Sequence, residues 1–378
     1  MPSERIILMY ISEVSGHHSA TLAVEKALKS LSPQAEILNI NAFKYTNPIS
    51  EKIINRIYMG VIKATPKVWD YLYDNPKVAA SLSKIKDAIH RFNTPKLKGL
   101  FDKFKPDVVV CAQAFPCGMV SDYKKTYASS PPLVAILTDY IPHSYWVYDN
   151  VDYYITPSRE VSDRLAQKNI VHGKIKVLGI PFDHDFNVVI DKNKVMHKLH
   201  LDPKLPVILI MGGGQGLGPI KGIIRRLDHS KNAFQMLVVC GSNKRLYNSM
   251  KRKVKKYKKA VFAFGFINNI HEMMGIADII ITKPGGITTA EALAKKIPMV
   301  IVRPIPGQEA SNTAYLTKKK AAVEVDKVAD IRGVIENLLD NPAKLKALSA
   351  AAAEIAKPDA SMDIARLLLD LCHQVKAC

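Results

Sequence analysis

The chain has 378 residues, 48% of them hydrophobic, which is enough for two domains with sizeable cores. Its 54 Lys and Arg against 34 Asp and Glu give a formal charge of +20, which implies polyanionic partners. With 7% aromatic content and no zinc module, RNP-like motif or helical basic region, nucleic acid is set aside in favour of an anionic membrane face. Cys111, Cys117, Cys240, Cys372 and Cys378 show no metal-ligand spacing and read as reduced cytosolic thiols. The apolar stretch 6–11 is too short for a signal-peptide core or a membrane span, and no apolar run approaches ~18 residues.

Residues 5–11 read as a buried strand, 12–19 as the turn after it, and the next helix carries Ala20, Ala23, Val24, Ala27, Leu28 and Leu31 on one side. His17 stands at that helix start, where the dipole disfavours the protonated form. It either caps the turn or offers the neutral imidazole that a general base needs, while His18 reads as structural. A second strand covers 36–41. Residues 48–105 form a long helical region in which Lys and Arg alternate with Tyr58, Met59, Ile62, Trp69, Tyr71 and Tyr73. That pattern suits either an interfacial helix or a solvated face over an ordinary core. Strands follow at 107–112 and 133–139, the latter running into Asp139, His143 and Trp146. Strands at 152–157 and 174–179 complete the first sheet.

The polar run 180–206 reads as an interdomain connection. A new strand, 207–211, leads into Gly212, Gly213, Gly214, Gln215 and Gly216 ahead of a helix. Such a loop suits a diphosphate or a domain closure, and it lacks the Lys-Ser/Thr ending of a P-loop. After a strand at 235–241, residues 243–259 carry nine Lys and Arg, as a solvated helix face or a membrane-attracting one. The strand 260–265 leads to Phe266 and Ile267. The apolar run 278–281 ends in Lys283, Pro284, Gly285 and Gly286, and a helical pattern opens with Thr288 and Thr289. Strand, glycine turn and helix N-terminus together make an anion site. Glu291, expected in the first turn, is either a favourable N-terminal charge or an acceptor for a ribose diol. The run 298–302 places Gln308 and Glu309 at the end of a neighbouring strand, with Asn312 just beyond. The last strand is 321–325, and a final amphipathic helix runs over 358–375.

The TKPGGITTAEAL and IPGQEASN segments within 282–312 resemble the nucleotide-sugar site of glycosyltransferase family 28. They are most similar to the branch of bacterial diacylglycerol glucosyltransferases and plant monogalactosyldiacylglycerol synthases. The resemblance covers roughly residues 5–340. It implies an α/β, GT-B architecture of two doubly wound (Rossmann-like) domains facing each other across a cleft. The expected divisions are 1–182 for acceptor and membrane, 183–357 for the nucleotide sugar, and 358–378 as a helix packing back on the first domain. It implies an inverting transfer of a hexose from UDP-glucose or UDP-galactose to diacylglycerol, on the cytoplasmic face of the membrane, by a peripherally bound enzyme.

By position His17 matches the family's candidate base, although the family's run of first-turn glycines is thinned here to Val14-Ser15-Gly16. Asp139 and His143 match an arrangement that recurs in the same branch, to orient a base or bind acceptor; Asp139 alternatively caps a turn. Phe266 and Ile267 would receive the uracil, Glu291 the ribose, and Gln308 and Glu309 the sugar hydroxyls. The two glycine turns would stabilise the departing diphosphate. With no clustered carboxylate pair for Mg²⁺, no metal or other cofactor is expected. Two alternatives stay open: a UDP-GlcNAc-dependent transferase acting on a polyprenyl-linked peptidoglycan precursor, and a non-catalytic UDP-sugar-sensing membrane protein.

Overall fold

Short, mostly apolar runs, spaced by helical segments, fold as twelve strands of two to six residues in two parallel sheets among the described residues. The computed structural model describes residues 3–13, 15–46, 95–127, 130–142, 146–304 and 307–377. The basic, aromatic stretch 48–94 and His143 lie outside them. The chain divides into two compact units. The first holds Met1–His184, Pro306–Gln308 and Asp359–Cys378, and the second Asp185–Ile305 and Glu309–Pro358.

The first unit is built on β1 (Arg5–Tyr10), β2 (Glu36–Asn41), β3 (Val108–Cys111), β4 (Leu133–Ile136), β5 (Tyr153–Ile155) and β6 (Ile175–Lys176). Their order is β2-β1-β3-β4-β5-β6, all parallel. Fully apolar strands such as β3 and β4 are buried on both faces, as parallel sheets covered by helices require. One face packs on Leu97, Leu100, Phe101, Cys117, Met119 and Val120. The other packs on Val24, Ala27 and Leu28 of the helix Gly16–Leu31, and on Ile364, Ala365, Leu368 and Leu371 of the C-terminal helix Ala360–Ala377. Ser361 Oγ donates to the Phe182 carbonyl at 2.5 Å, and Lys376 pairs with Asp107 at 3.2 Å, so both ends of that helix are tied to this unit.

The second unit contains β7 (Val207–Met211), β8 (Gln235–Val239), β9 (Ala260–Phe264), β10 (Ile279–Thr282), β11 (Met299–Val302) and β12 (Ala322–Val325). The order is β12-β11-β10-β7-β8-β9, again all parallel. Winding runs outward in both directions from β7 and β10, the doubly wound pattern, and ligands in such sheets bind where the order reverses, beyond the strand C-termini. In the first unit the equivalent place is between β1 and β3.

Several expected boundaries move. The expected connection 180–206 holds a helix of its own, Lys192–Lys198, because Asp191 caps its start by accepting from the Lys194 amide at 3.0 Å and Val195 and Met196 are buried. The helix expected over 243–259 stops at Lys251 and gives way to a 3₁₀ turn, Val254–Lys256. Successive like charges there leave no i,i+4 pairing to carry a helix further. Of the strand expected at 133–139, only Leu133–Ile136 is laddered; Leu137 still donates to Ile155 at 2.9 Å, and Thr138 and Asp139 emerge past the sheet end.

Leu368 is fully buried against the first sheet. Leu368→Ala is expected to lower the unfolding free energy by about 2–5 kcal/mol, measured by urea denaturation.

Candidate active site

Because β7 and β10 are neighbours, the glycine loop after β7 and the Lys283–Gly286 turn after β10 open side by side at the reversal point of the sheet. The loop is a tight closure. Leu217 N–H donates to the Gly212 carbonyl at 2.9 Å, and Gly216 N–H donates to Gly213 at 3.0 Å. Ser242 N–H, past β8, donates to the Gly214 carbonyl at 2.8 Å. At Gly216 φ is +58° and a Cβ would fall 2.0 Å from the Cys240 carbonyl, so only glycine fits there. A Cβ on Gly212 would fall 1.9 Å from Leu217 O. Some of these glycines therefore serve the loop's own closure. Gly213, Gly214 and Gly285 are different: a Cβ on any of them meets no atom within 4 Å, so open space lies beside each. Gln215 sits beside them with its side chain only partly exposed.

The helix after β10 is Gly286–Ala294, with Gly285 as its N-cap in extended geometry and no side chain capping it. Its first N–H groups have no intrahelical acceptor, and the dipole puts positive potential there. The helix opens two residues earlier than the Thr288-Thr289 pattern suggests, since glycine enters the first turn without a steric cost. Glu291 consequently lies in the second turn, and the first-turn charge reading lapses. It is partly exposed. Thr288 is partly exposed too, whereas Thr289 is fully buried.

Asn312 is also fully buried, and its Nδ2 donates to the Pro284 carbonyl at 2.9 Å. Thr289 and Asn312, both expected at the donor, are thus buried in this structure, and Asn312 braces the turn from within. Pro284 is buried with them. Glu309 is in the first turn of the helix Gln308–Lys318 and not on a strand end; its Oε1 lies 2.8 Å from Lys283 Nζ. Lys283 received no role from sequence, although a cation just before a glycine turn was the signal available. Beyond β9, Phe266 is 69% exposed and Ile267 partly so. Among the described residues no three His, Cys, Asp or Glu gather as a metal-ligand set.

In the first unit, the first turn of the helix after β1 carries two adjacent histidines in different surroundings. Ser15 caps the helix: its Oγ accepts from the His18 amide at 3.2 Å and donates to the Ser12 carbonyl at 2.6 Å. Protein packed around His17 pushes its imidazole down to about 4, so the cause is desolvation more than the helix dipole, and part of the residue still reaches solvent. His18 stacks on Tyr10 with ring centroids 4.1 Å apart, and its Nδ1 lies 2.9 Å from the Glu13 carbonyl. That contact makes Nδ1 the protonated nitrogen and Nε2 the basic one. Tyr10 in turn donates to Glu13 Oε2 at 2.7 Å. Asp139, beyond β4, accepts from Gln308 Nε2 at 2.8 Å, and Gln308 groups with this first unit.

Comparison with known proteins fits this arrangement. The monogalactosyldiacylglycerol (MGDG) synthase family matches residues 17–182, and the glycosyltransferase family 28 C-terminal domain matches residues 207–364. The processive diacylglycerol β-glucosyltransferase of Bacillus licheniformis is 30% identical over 307 residues, 81% of this chain and 79% of the relative. That of Bacillus cytotoxicus is 27% identical over 370 residues, 98% of this chain and 94% of the relative. Among solved structures, the S. aureus MnaA–UDP complex superposes with a TM-score of 0.63 at 14% identity, covering 97% of each chain, which speaks for the fold alone. The two doubly wound units are those of the GT-B architecture, and the chain belongs to glycosyltransferase family 28, in the branch of the diacylglycerol glucosyltransferases and monogalactosyldiacylglycerol synthases.

Proposed function

We propose that this protein is a hexosyltransferase that moves glucose or galactose from its UDP-sugar to the hydroxyl of diacylglycerol at an anionic membrane surface. The observation that carries the donor half is the paired opening of the glycine loop and the uncapped helix Gly286–Ala294 at the β7/β10 reversal. Backbone N–H groups at those two turns would bind the diphosphate and stabilise the charge it gains on leaving. Phe266 and Ile267 would receive the uracil, Glu291 the ribose, and Gln308 and Glu309 the sugar hydroxyls.

The reaction is a single displacement with inversion. The acceptor oxygen bonds to the anomeric carbon, the bond to the diphosphate oxygen breaks with its electron pair, and the acceptor proton passes to a histidine. From sequence that base is His17. A specific observation favours its neighbour: the Glu13 carbonyl fixes the His18 tautomer with Nε2 free of the ring proton, whereas an imidazole held near 4 is a weak base. Asp139 would orient the acceptor. Fixed backbone dipoles take the part a metal ion plays elsewhere, so no metal is required.

Membrane attraction has support in the second unit. Lys244, Arg245, Lys251, Arg252, Lys255, Lys256 and Lys258 are all exposed, and no Asp or Glu occurs in 242–259. Each such cation near an anionic leaflet contributes about 1 kcal/mol. No helix among the described residues is long and apolar enough to cross a membrane.

The deciding assay offers labelled UDP-glucose and UDP-galactose in parallel to the protein with diacylglycerol in anionic liposomes, with and without EDTA. A labelled glycosyl-diacylglycerol from one donor, undiminished by EDTA, is the expected result; tight UDP binding with no transfer to lipid would defeat the reading. In the same assay His18→Ala is expected to lower kcat by about 10²-fold or more with UDP affinity kept, and His17→Ala to cost less. If activity instead falls only as pH drops through about 4, the imidazole losing its basic form is His17, and the base assignment moves there.

A further inference from the structure

Lys283 sits where three parts of the donor region come together, yet its charge is spent on a protein partner. It follows Thr282 at the end of β10, and its side chain is 12% exposed. Its Nζ lies 2.8 Å from Glu309 Oε1, on a side chain that is 22% exposed. Its methylenes run past the glycine loop, since a Cβ on Gly218 would lie 3.6 Å from Lys283 Cδ. One residue further on the chain enters the turn at Gly285, beside which open space lies where a Cβ would stand.

A lysine this withdrawn from water needs an acceptor, and Glu309 provides it. The carboxylate depends on the pair less than the ammonium does. Glu309 is in the first turn of its helix, where the dipole and free N–H groups already favour a negative charge. A diphosphate carries more charge than one carboxylate and offers more acceptor oxygens to the same ammonium. The pair can therefore be exchanged at modest cost on the carboxylate side.

We propose that Lys283 is a diphosphate ligand held in place by Glu309 until the nucleotide arrives. On donor binding the ammonium turns from the carboxylate to the phosphate oxygens, and the released Glu309 accepts from the sugar hydroxyls. After transfer, Glu309 competes with UDP for the ammonium and so promotes product release. The proposal rests on the donor-site reading above and adds to it a residue and an order of events.

Calorimetric titration of the full chain with UDP and with uridine, without acceptor, tests it. Lys283→Met is expected to weaken UDP by about tenfold or more, the scale of one charge-assisted hydrogen bond, while uridine affinity stays unchanged. Glu309→Gln removes the competitor, so it is expected to tighten UDP while lowering kcat/KM for the UDP-sugar. An unchanged ratio of UDP to uridine affinity in Lys283→Met would overturn the proposal. So would Glu309→Gln weakening UDP as Lys283→Met does, because the pair would then be a structural brace. Should Lys283→Met fold poorly, the direction of the Glu309→Gln effect decides alone. A wild-type chain that binds no UDP overturns the donor site together with this proposal; UDP binding insensitive to either variant overturns the proposal only.

Discussion

The donor region depends on the parallel pairing of β7 with β10, two strands some seventy positions apart in the chain. Pairing Ile208 with Ile279 and Ile210 with Ile281 aligns the two strand ends, so that one glycine loop and one glycine turn leave the sheet at the same height. Every residue on both strands is buried, which makes the register costly to shift. A parallel pair also needs a crossover, and the strands and helices between 212 and 278 supply it while building the far half of the sheet. Where the winding changes direction the connections leave toward opposite faces of the sheet, and a crevice opens beyond the strand ends.

On the proposed reading, that geometry would let a strongly basic protein hold a diphosphate with few side-chain charges. Dipoles and amides at a helix start are fixed by the fold and need no reorganisation when charge develops. Hydrogen bonds behind them keep the turns in shape: the buried Asn312 holds the Pro284 carbonyl, and the Ser242 amide holds the Gly214 carbonyl. The exposed cations from Lys244 to Lys258 stand on and after the helix Lys244–Lys251, and on the proposed reading they would serve attraction to an anionic surface more than local chemistry.

The first unit repeats the same logic with a different payload. Its reversal lies between β1 and β3, and the helix start after β1 carries His17 and His18. Two neighbouring histidines are separated chemically by packing: one is desolvated, the other stacked on Tyr10 and anchored through Nδ1. The C-terminal helix closes an apolar face of this sheet, so the chain's last eighteen helical residues stabilise the unit that bears these histidines.

Periodicity and glycine placement made the α/β class, the strand positions and the two glycine turns legible from the sequence alone, because buried parallel strands read as short apolar runs and tight turns need glycine. The TKPGG and GQEASN segments carried the family with them. Strand order was not legible: each apolar run is compatible with several neighbours, and only packing chose β10 for β7. Nor was the degree of burial, since Thr289 and Asn312 look as polar on paper as Thr288 and Glu309, and only packing takes the first two out of solvent. Glu291 moved to the second turn because Gly285 and Gly286 start the helix early, which a pattern of side chains does not reveal. The Lys283–Glu309 pair joins two segments separated in sequence, and the distinct surroundings of His17 and His18 arise from residues folded around them. Local chemistry is written in the order of residues; proximity and desolvation come from tertiary packing.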